Sequence, residues 1–290
     1  MWLRVVVICV FSFLSACTSH SPARNAGVTA LADTLREWPA SKPRKGVVLA
    51  LHSFGDYGAA FDQIGPLFAA NGYHLVSYDQ AGFGRRRQQD RWPGEAQLVD
   101  DAVSQIQRLY ASYHQPVVVL GESLGGAVAM LAALREPDKV AALVLVAPAV
   151  REGIRFRYGW NAAIATAATL APGYRLTVTR EADDPSLSTD SARRLARDPL
   201  VMREVRMDAY WGLIRLADSA SDQAHRLTPP TLLLYGGQDQ SVPAAGIVHL
   251  RDHVNDNGDY RFYPHGPHLL LQGPHWQNVS GDILKWLGAR

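Results

Sequence analysis

From Lys45 onward, short apolar runs alternate with longer stretches whose apolar residues recur at helical spacing. That alternation restricts the chain to few folds. A continuously apolar strand must be covered on both faces, and successive parallel strands need a crossover of a dozen or more residues, usually a helix. The runs are GVVLAL (46–51), HLVSY (74–78), PVVVL (116–120), AALVLV (141–146), TLLLY (231–235) and YRFY (260–263). Helical patterns lie at 57–71, 95–113, 124–135, 244–253 and 274–287. The sequence therefore predicts an α/β fold, a mostly parallel sheet with helices on both faces. A hairpin over 28–38 is expected to add an antiparallel edge.

The alternation breaks once. Between Pro148 and Pro229 about 80 residues contain no convincing strand, too long a stretch for a structureless connection in a compact domain. Arg155–Leu170 and Ser191–Leu216 read as helices, and Tyr158, Trp160, Tyr174, Tyr210 and Trp211 make the segment aromatic. We read 149–229 as a helical cap inserted between two parts of one core, 28–148 and 230–290. Such an insertion is either a lid over a site or a subdomain that only stabilises the fold.

The chemistry is carried first by Gly121-Glu122-Ser123-Leu124-Gly125-Gly126, which follows PVVVL directly and opens the helix AVAMLAALR. In that strand-turn-helix setting, glycines permit a sharp turn that raises the serine hydroxyl beyond the carboxyl edge of the sheet. The helix start contributes a positive dipole and a free N–H at Leu124, suited to holding an oxyanion. A serine nucleophile needs a base oriented by an acid. The loop after TLLLY contains Asp239, and the loop after YRFY offers His265 and His268, with His275 opening the last helix.

The N-terminus carries a different signal. Residues 1–16 combine Arg4, an apolar run from Val5 to Leu14 and small residues before Cys17, which reads as an export signal too short to span a bilayer, for which roughly 20 apolar residues are needed. Leu14-Ser15-Ala16-Cys17 resembles the lipobox of bacterial lipoproteins, in which Cys17 would be acylated, with 17–27 as a flexible tether. Thr18 after the cysteine implies sorting to the outer membrane, facing the periplasm. The only other cysteine, Cys9, lies inside the signal, so no disulfide is expected in the mature chain. Lys plus Arg number 29 against 27 Asp plus Glu, a balance without the basic excess that nucleic-acid binding requires.

Taken together, His52-Ser53-Phe54-Gly55-Asp56, Tyr78-Asp79-Gln80-Ala81-Gly82-Phe83-Gly84, the serine turn, Gly237-Gln238-Asp239 with Val242-Pro243, and Gly266-Pro267-His268-Leu269-Leu270 resemble the α/β-hydrolase family. Within it they are similar to the monoglyceride lipase and lysophospholipase group, over about Val28 to Leu287. The order Ser, Asp, His is the family's. The resemblance implies Ser123 as nucleophile, Asp239 as acid and His268 as base, with His265 as the alternative base, and an oxyanion hole from the N–H groups of Leu124 and Phe54. Ser53, where a second glycine is usual, Ala81 and Arg85-Arg86-Arg87 depart from the family pattern. The arginine triplet reads as a solvated loop or as a contact for lipid phosphates.

The reaction so implied is acyl transfer from a carboxylic ester to Ser123 and then to water, needing neither metal nor organic cofactor. An apolar acyl chain, as in monoacylglycerol or lysophospholipid, suits an aromatic cap and a membrane-anchored enzyme. A short-chain carboxylesterase, an aminopeptidase of the same family and an acyltransferase share the same site. From another class, a lipoprotein that binds a small apolar ligand without turnover would share the fold. Oligomeric state has no signature in the sequence.

Overall fold

The computed structural model describes residues 31–290 apart from Lys42, Gln89, 152–157 and 255–257, and the side chains of 158–160. Cys17, the signal at 1–16 and the tether at 17–27 lie outside the described residues. The strands are β1 (Arg36–Trp38), β2 (Gly46–Leu51), β3 (Tyr73–Ser77), β4 (Val117–Glu122), β5 (Val140–Val146), β6 (Arg175–Thr177), β7 (Glu204–Arg206), β8 (Thr231–Gly236) and β9 (Gly258–Tyr263). Seven of them form one sheet in the order β1-β3-β2-β4-β5-β8-β9, parallel throughout except for β1, which runs antiparallel to β3 with Arg36 opposite Ser77.

The helices are α1 (Gly65–Ala70), α2 (Glu95–Tyr113), α3 (Leu124–Arg135), α4 (Tyr158–Leu170), α5 (Thr189–Arg197), α6 (Met207–Asp222), α7 (Ala244–His253) and α8 (Trp276–Gly288). Two-residue periodicity divides the strand side chains between two cores. Val47, Leu49 and Leu51 of β2 pack with Leu98, Ala102 and Ile106 of α2 and with α3, whereas Val48 and Ala50 face Val279, Ile283 and Trp286 of α8. α3 is buried from Leu124 to Ala133 because it lies between the sheet, α2 and α6. All parallel strands deliver their carboxyl ends to one edge, where ligands of open α/β sheets bind.

Four sequence expectations are corrected. The stretch 57–71 is a 3-10 turn (Gly58–Phe61) followed by the short α1, because Pro66, at the start of that helix, suits an N-terminus and not an interior. The 149–229 segment contains strands after all: β6 and β7 pair antiparallel, Arg175 opposite Arg206, and three residues each are too few to display a period. β7 also splits the helix expected over 191–216 into α5 and α6, α5 stopping at Arg197 just before Pro199. In the described part of 28–38 there is no hairpin, since β1 pairs directly with β3. Among the described residues no helix is long and apolar enough to cross a membrane.

Candidate active site

Ser123 sits between β4 and α3 with φ 55° and ψ −117°, a conformation rare for a residue with a side chain. Strain of this kind costs about 1–3 kcal/mol and persists only where the surroundings impose it. Here Ser123 N donates to Val146 O at 3.0 Å, while its carbonyl accepts from Gly126 N at 2.9 Å and Ala149 N at 2.8 Å. A Cβ on Gly121 or Gly125 would collide with the carbonyl oxygen of Gly125 or Leu51 respectively, so glycine is required at both.

Asp239 and His268 come from the loops after β8 and β9, which are stitched together by Gly237 N to Tyr263 O at 2.8 Å and Gln238 N to Gly266 O at 2.9 Å. Neither Gly236 nor Gly237 has room for a Cβ against the opposing loop's carbonyls. The Asp239 side chain is fully buried. Its Oδ1 accepts from Ser241 N at 2.7 Å and Val242 N at 2.9 Å, and its Oδ2 faces His268 Nδ1 at 2.8 Å. His268 Nε2 lies 2.9 Å from Ser123 Oγ. A carboxylate only accepts, so Nδ1 carries the imidazole proton and Nε2 is left to accept from the serine hydroxyl.

The remaining histidines and carboxylates stand elsewhere. His265 is exposed, and His275 precedes α8 without a side-chain cap bond. Asp252 pairs with Arg251, and Asp259 accepts from Trp286 Nε1 and Arg290. Asp222 ends α6.

Leu124 is the first residue of α3, where an N–H has no acceptor within the helix. Phe54 follows β2 and packs its ring edge against Phe83, with centroids 5.3 Å apart. The loop carrying it is anchored by buried His52, whose Nε2 accepts from Gln80 N at 3.0 Å and whose Nδ1 therefore donates to Ser53 O at 2.9 Å. Burial lowers the pKa of His52, and the neutral ring suits this double role. Ser53, where the family has glycine, donates from Oγ to Glu122 Oε2 at 3.3 Å.

Behind the serine runs a buried polar chain that the sequence analysis did not foresee. Fully buried Glu122 accepts from Leu271 N at 3.0 Å and Gln272 Nε2 at 3.2 Å. Arg194 of α5 grips Asp56 with two bonds of 2.6 and 2.7 Å and donates to Gln272 Oε1 at 2.8 Å. Burial raises the pKa of Glu122. The same pressure acts on Asp56, but the Arg194 guanidinium outweighs it and leaves that carboxyl below its ordinary value. The chain thus ties the Ser53–Asp56 loop, the serine turn, the histidine loop and α5. The one local clue was Glu122, a charge ending a buried strand, which must find partners. The arginine triplet is likewise more structural than expected: buried Arg86 donates to Asp101 Oδ2 at 2.6 Å and Asp79 O at 3.1 Å, and Arg87 pairs with Asp90 at 3.0 Å.

Ser123 opens into a cavity of about 180 Å³ walled by Val150, Ile164, Leu213, Ile214 and Val242. Its charged lining residue among the described residues is Arg151, whose guanidinium is held by Asp218 at 3.2 Å and Asn161 at 3.2 Å. Ile164 comes from α4 and Leu213 and Ile214 from α6, so these helices of the segment after β5 form one side of the wall over the serine, and Val242 from the loop after β8 adds to it.

Residues 42–275 match the family model Hydrolase_4, described as serine aminopeptidase, S33. A monoacylglycerol lipase of Mycolicibacterium smegmatis is 26% identical over 275 residues, spanning 93% of this chain and 96% of that protein. Among solved structures, the Paleococcus ferrophilus monoacylglycerol lipase superposes with a TM-score of 0.72 at 21% identity, covering 87% of this chain and 97% of that one. A soluble variant of the Saccharomyces cerevisiae monoglyceride lipase, in complex with a substrate analog, gives 0.75 at 15% identity over 87% and 90%.

Proposed function

The chain belongs to the Hydrolase_4 family of α/β-hydrolases, and on that premise we propose that it is a serine ester hydrolase of the monoglyceride lipase type, cleaving glyceryl esters with a single acyl chain. The observation that carries this reading is the unbroken hydrogen-bond line Asp239–His268–Ser123, ending at the floor of an apolar cavity. His268 Nε2 takes the hydroxyl proton as Ser123 Oγ attacks the ester carbonyl carbon, and Asp239 stabilises the imidazolium so formed. The N–H groups of Leu124 and Phe54 hold the oxyanion. Collapse breaks the acyl C–O bond, His268 gives its proton to the departing glyceryl oxygen, and the acyl group remains on Ser123. Water, deprotonated by the same His268, then releases the fatty acid and restores the serine.

The family description raises the aminopeptidase alternative. An aminopeptidase must bind the substrate's ammonium group, for which carboxylates are the natural partners. Among the described residues the cavity at Ser123 is lined mainly by apolar side chains, with Asn161, Tyr210 and Ser241 as neutral polar groups and Arg151 as the charged one, which favours an acyl chain over an ammonium group.

We place the enzyme in the bacterial envelope, anchored by acylated Cys17 and facing the periplasm at the outer membrane; the support is Leu14-Ser15-Ala16-Cys17 after an apolar run. Labelled palmitate is expected in the wild type and not in Cys17→Ala, and equal labelling of both refutes the anchor. For the activity, the test is hydrolysis of glyceryl esters of increasing acyl length by protein lacking residues 1–17, with Ser123→Ala as blank. Turnover confined to the wild type and present on monoacylglycerols is the expected result. Turnover of peptides without turnover of esters refutes the reading.

A further inference from the structure

Beside the oxyanion loop stands a cation that no described carboxylate contacts within ion-pair distance. Arg180, three residues beyond β6, lays its guanidinium against Gly55: a Cβ at Gly55 would meet Arg180 Nη2 at 3.6 Å. Its Nε is buried with no hydrogen-bond partner, and Arg180 forms no ion pair among the described residues, although Glu181, Asp183 and Asp184 follow it in the chain. The carboxylate whose field attracts it is Asp56, and both oxygens of Asp56 are already engaged by Arg194. Arg194 and Arg203 surround it with further positive charge, and burial is the main reason its pKa falls below the usual arginine value.

Among the described residues, Arg86 and Arg194, whose side chains are largely shielded, each hold a carboxylate, Asp101 and Asp56 respectively. Arg180 as a whole is half-buried, and its shielded Nε–H is left without an acceptor, which is unfavourable and is relieved when a ligand brings the anion. The location says which ligand. Gly55 follows Phe54, the proposed oxyanion donor, so the unpaired fork stands one residue from the place where the ester carbonyl is held. In a 1-acylglycerol 3-phosphate the phosphate is joined to the acyl ester through the three-carbon glycerol backbone, and a guanidinium fork matches phosphate oxygens in pairs.

We propose that Arg180 is an anion subsite for the phosphate of a glyceryl phosphate monoester, which makes 1-acylglycerol phosphates, the lysophospholipid type, preferred over neutral monoacylglycerols. This rests on the serine ester hydrolase reading and names the headgroup for that same site. Water is added across the acyl C–O bond, giving fatty acid and glycerol 3-phosphate, and the phosphate ester is untouched.

The test compares 1-acylglycerol and 1-acylglycerol 3-phosphate of one acyl length, both monomeric in solution so that no lipid surface contributes. Arg180→Gln should raise KM for the phosphate ester about 10- to 100-fold, the range for loss of a charge-assisted hydrogen bond, while the neutral ester changes less than about 2-fold because its contacts are retained. Arg180→Lys, which keeps the charge, should restore part of the difference. Glycerol 3-phosphate should bind the wild type in calorimetry and not Arg180→Gln. Equal losses on both esters, unchanged kinetics on the phosphate ester, or equal binding of glycerol 3-phosphate overturns the proposal. If the wild type hydrolyses no ester, the hydrolase reading fails, and calorimetry still decides the subsite.

Discussion

Replacing Asp239 by asparagine separates two jobs that one carboxylate performs. Oδ1 accepts from two backbone N–H groups, of Ser241 and Val242, and Oδ2 holds His268 Nδ1. An asparagine must keep its carbonyl oxygen on the backbone pair, because an NH₂ there would face two donors. The NH₂ is then turned toward His268, where it can only donate. The ring must offer Nδ1 as an acceptor and move its proton to Nε2, so His268 can no longer take the proton from Ser123. An analogous wrong-tautomer substitution in the serine protease triad lowers kcat about 10⁴-fold, equivalent to roughly 5 kcal/mol of barrier. We expect a loss of that order in kcat for ester hydrolysis by Asp239→Asn, with the thermal midpoint within a few degrees of wild type because the turn bonds survive. Initial rates on a monoacylglycerol and a calorimetric melt measure both. A loss below about 10-fold, or a collapse in stability equal to that of Asp239→Ala, would refute the tautomer argument.

Other perturbations follow from the buried chain and the cavity. Arg194→Ala strands Asp56, which is 2% exposed, and should cost about 3–5 kcal/mol of unfolding free energy, the range for breaking a buried ion pair. Since Arg194 holds the Asp56 carboxyl below its usual value, that stabilisation is full above the unfolded aspartate range and is lost as pH falls through the lowered value; urea melts should show the variant's deficit shrinking in acid, and a pH-independent deficit contradicts it. Glu122 has the opposite sign. Its folded pKa lies above 4.5, so its charged form opposes folding, and Glu122→Gln should gain stability relative to wild type as pH rises from about 4 toward neutrality; a constant difference across that window counts against the assignment. Leu213→Trp, filling the cavity of about 180 Å³ beside Ser123, should abolish turnover of long-chain esters while short-chain esters retain activity, and uniform loss across chain lengths would show that the cavity does not hold the acyl group.

What the sequence made legible was whatever repeats locally. Five of the six strands were visible because runs such as Val47–Leu51 are buried on both faces and so are largely apolar, whereas β9, an exposed edge strand, was visible through the aromatics of YRFY. α2, α3 and α7 begin and end where their apolar spacing does. The serine turn was legible because its glycines and its position between strand and helix express one steric demand. β6 and β7 were not, being three residues each and paired across the inserted segment. Nor was the Arg194–Asp56 bridge, whose partners are 138 residues apart and carry no shared pattern. Ser53 read as a departure from the family because the Glu122 carboxylate that receives it becomes its neighbour only after β2 and β4 pair. Arg180 shows the same limit: an arginine is unremarkable in sequence, and only the folded chain reveals that no described carboxylate bonds to it.

The central claim is that the acyl group of the substrate passes through Ser123. The most direct measurement is rapid quenching of wild-type protein with a slowly deacylating ester, followed by mass spectrometry of the peptide containing Gly121–Gly126. The account predicts an adduct of acyl mass on Ser123, formed at the rate of the kinetic burst, absent from Ser123→Ala and strongly reduced in Asp239→Asn. An unmodified Ser123 during full turnover, or an adduct on another residue, would contradict it.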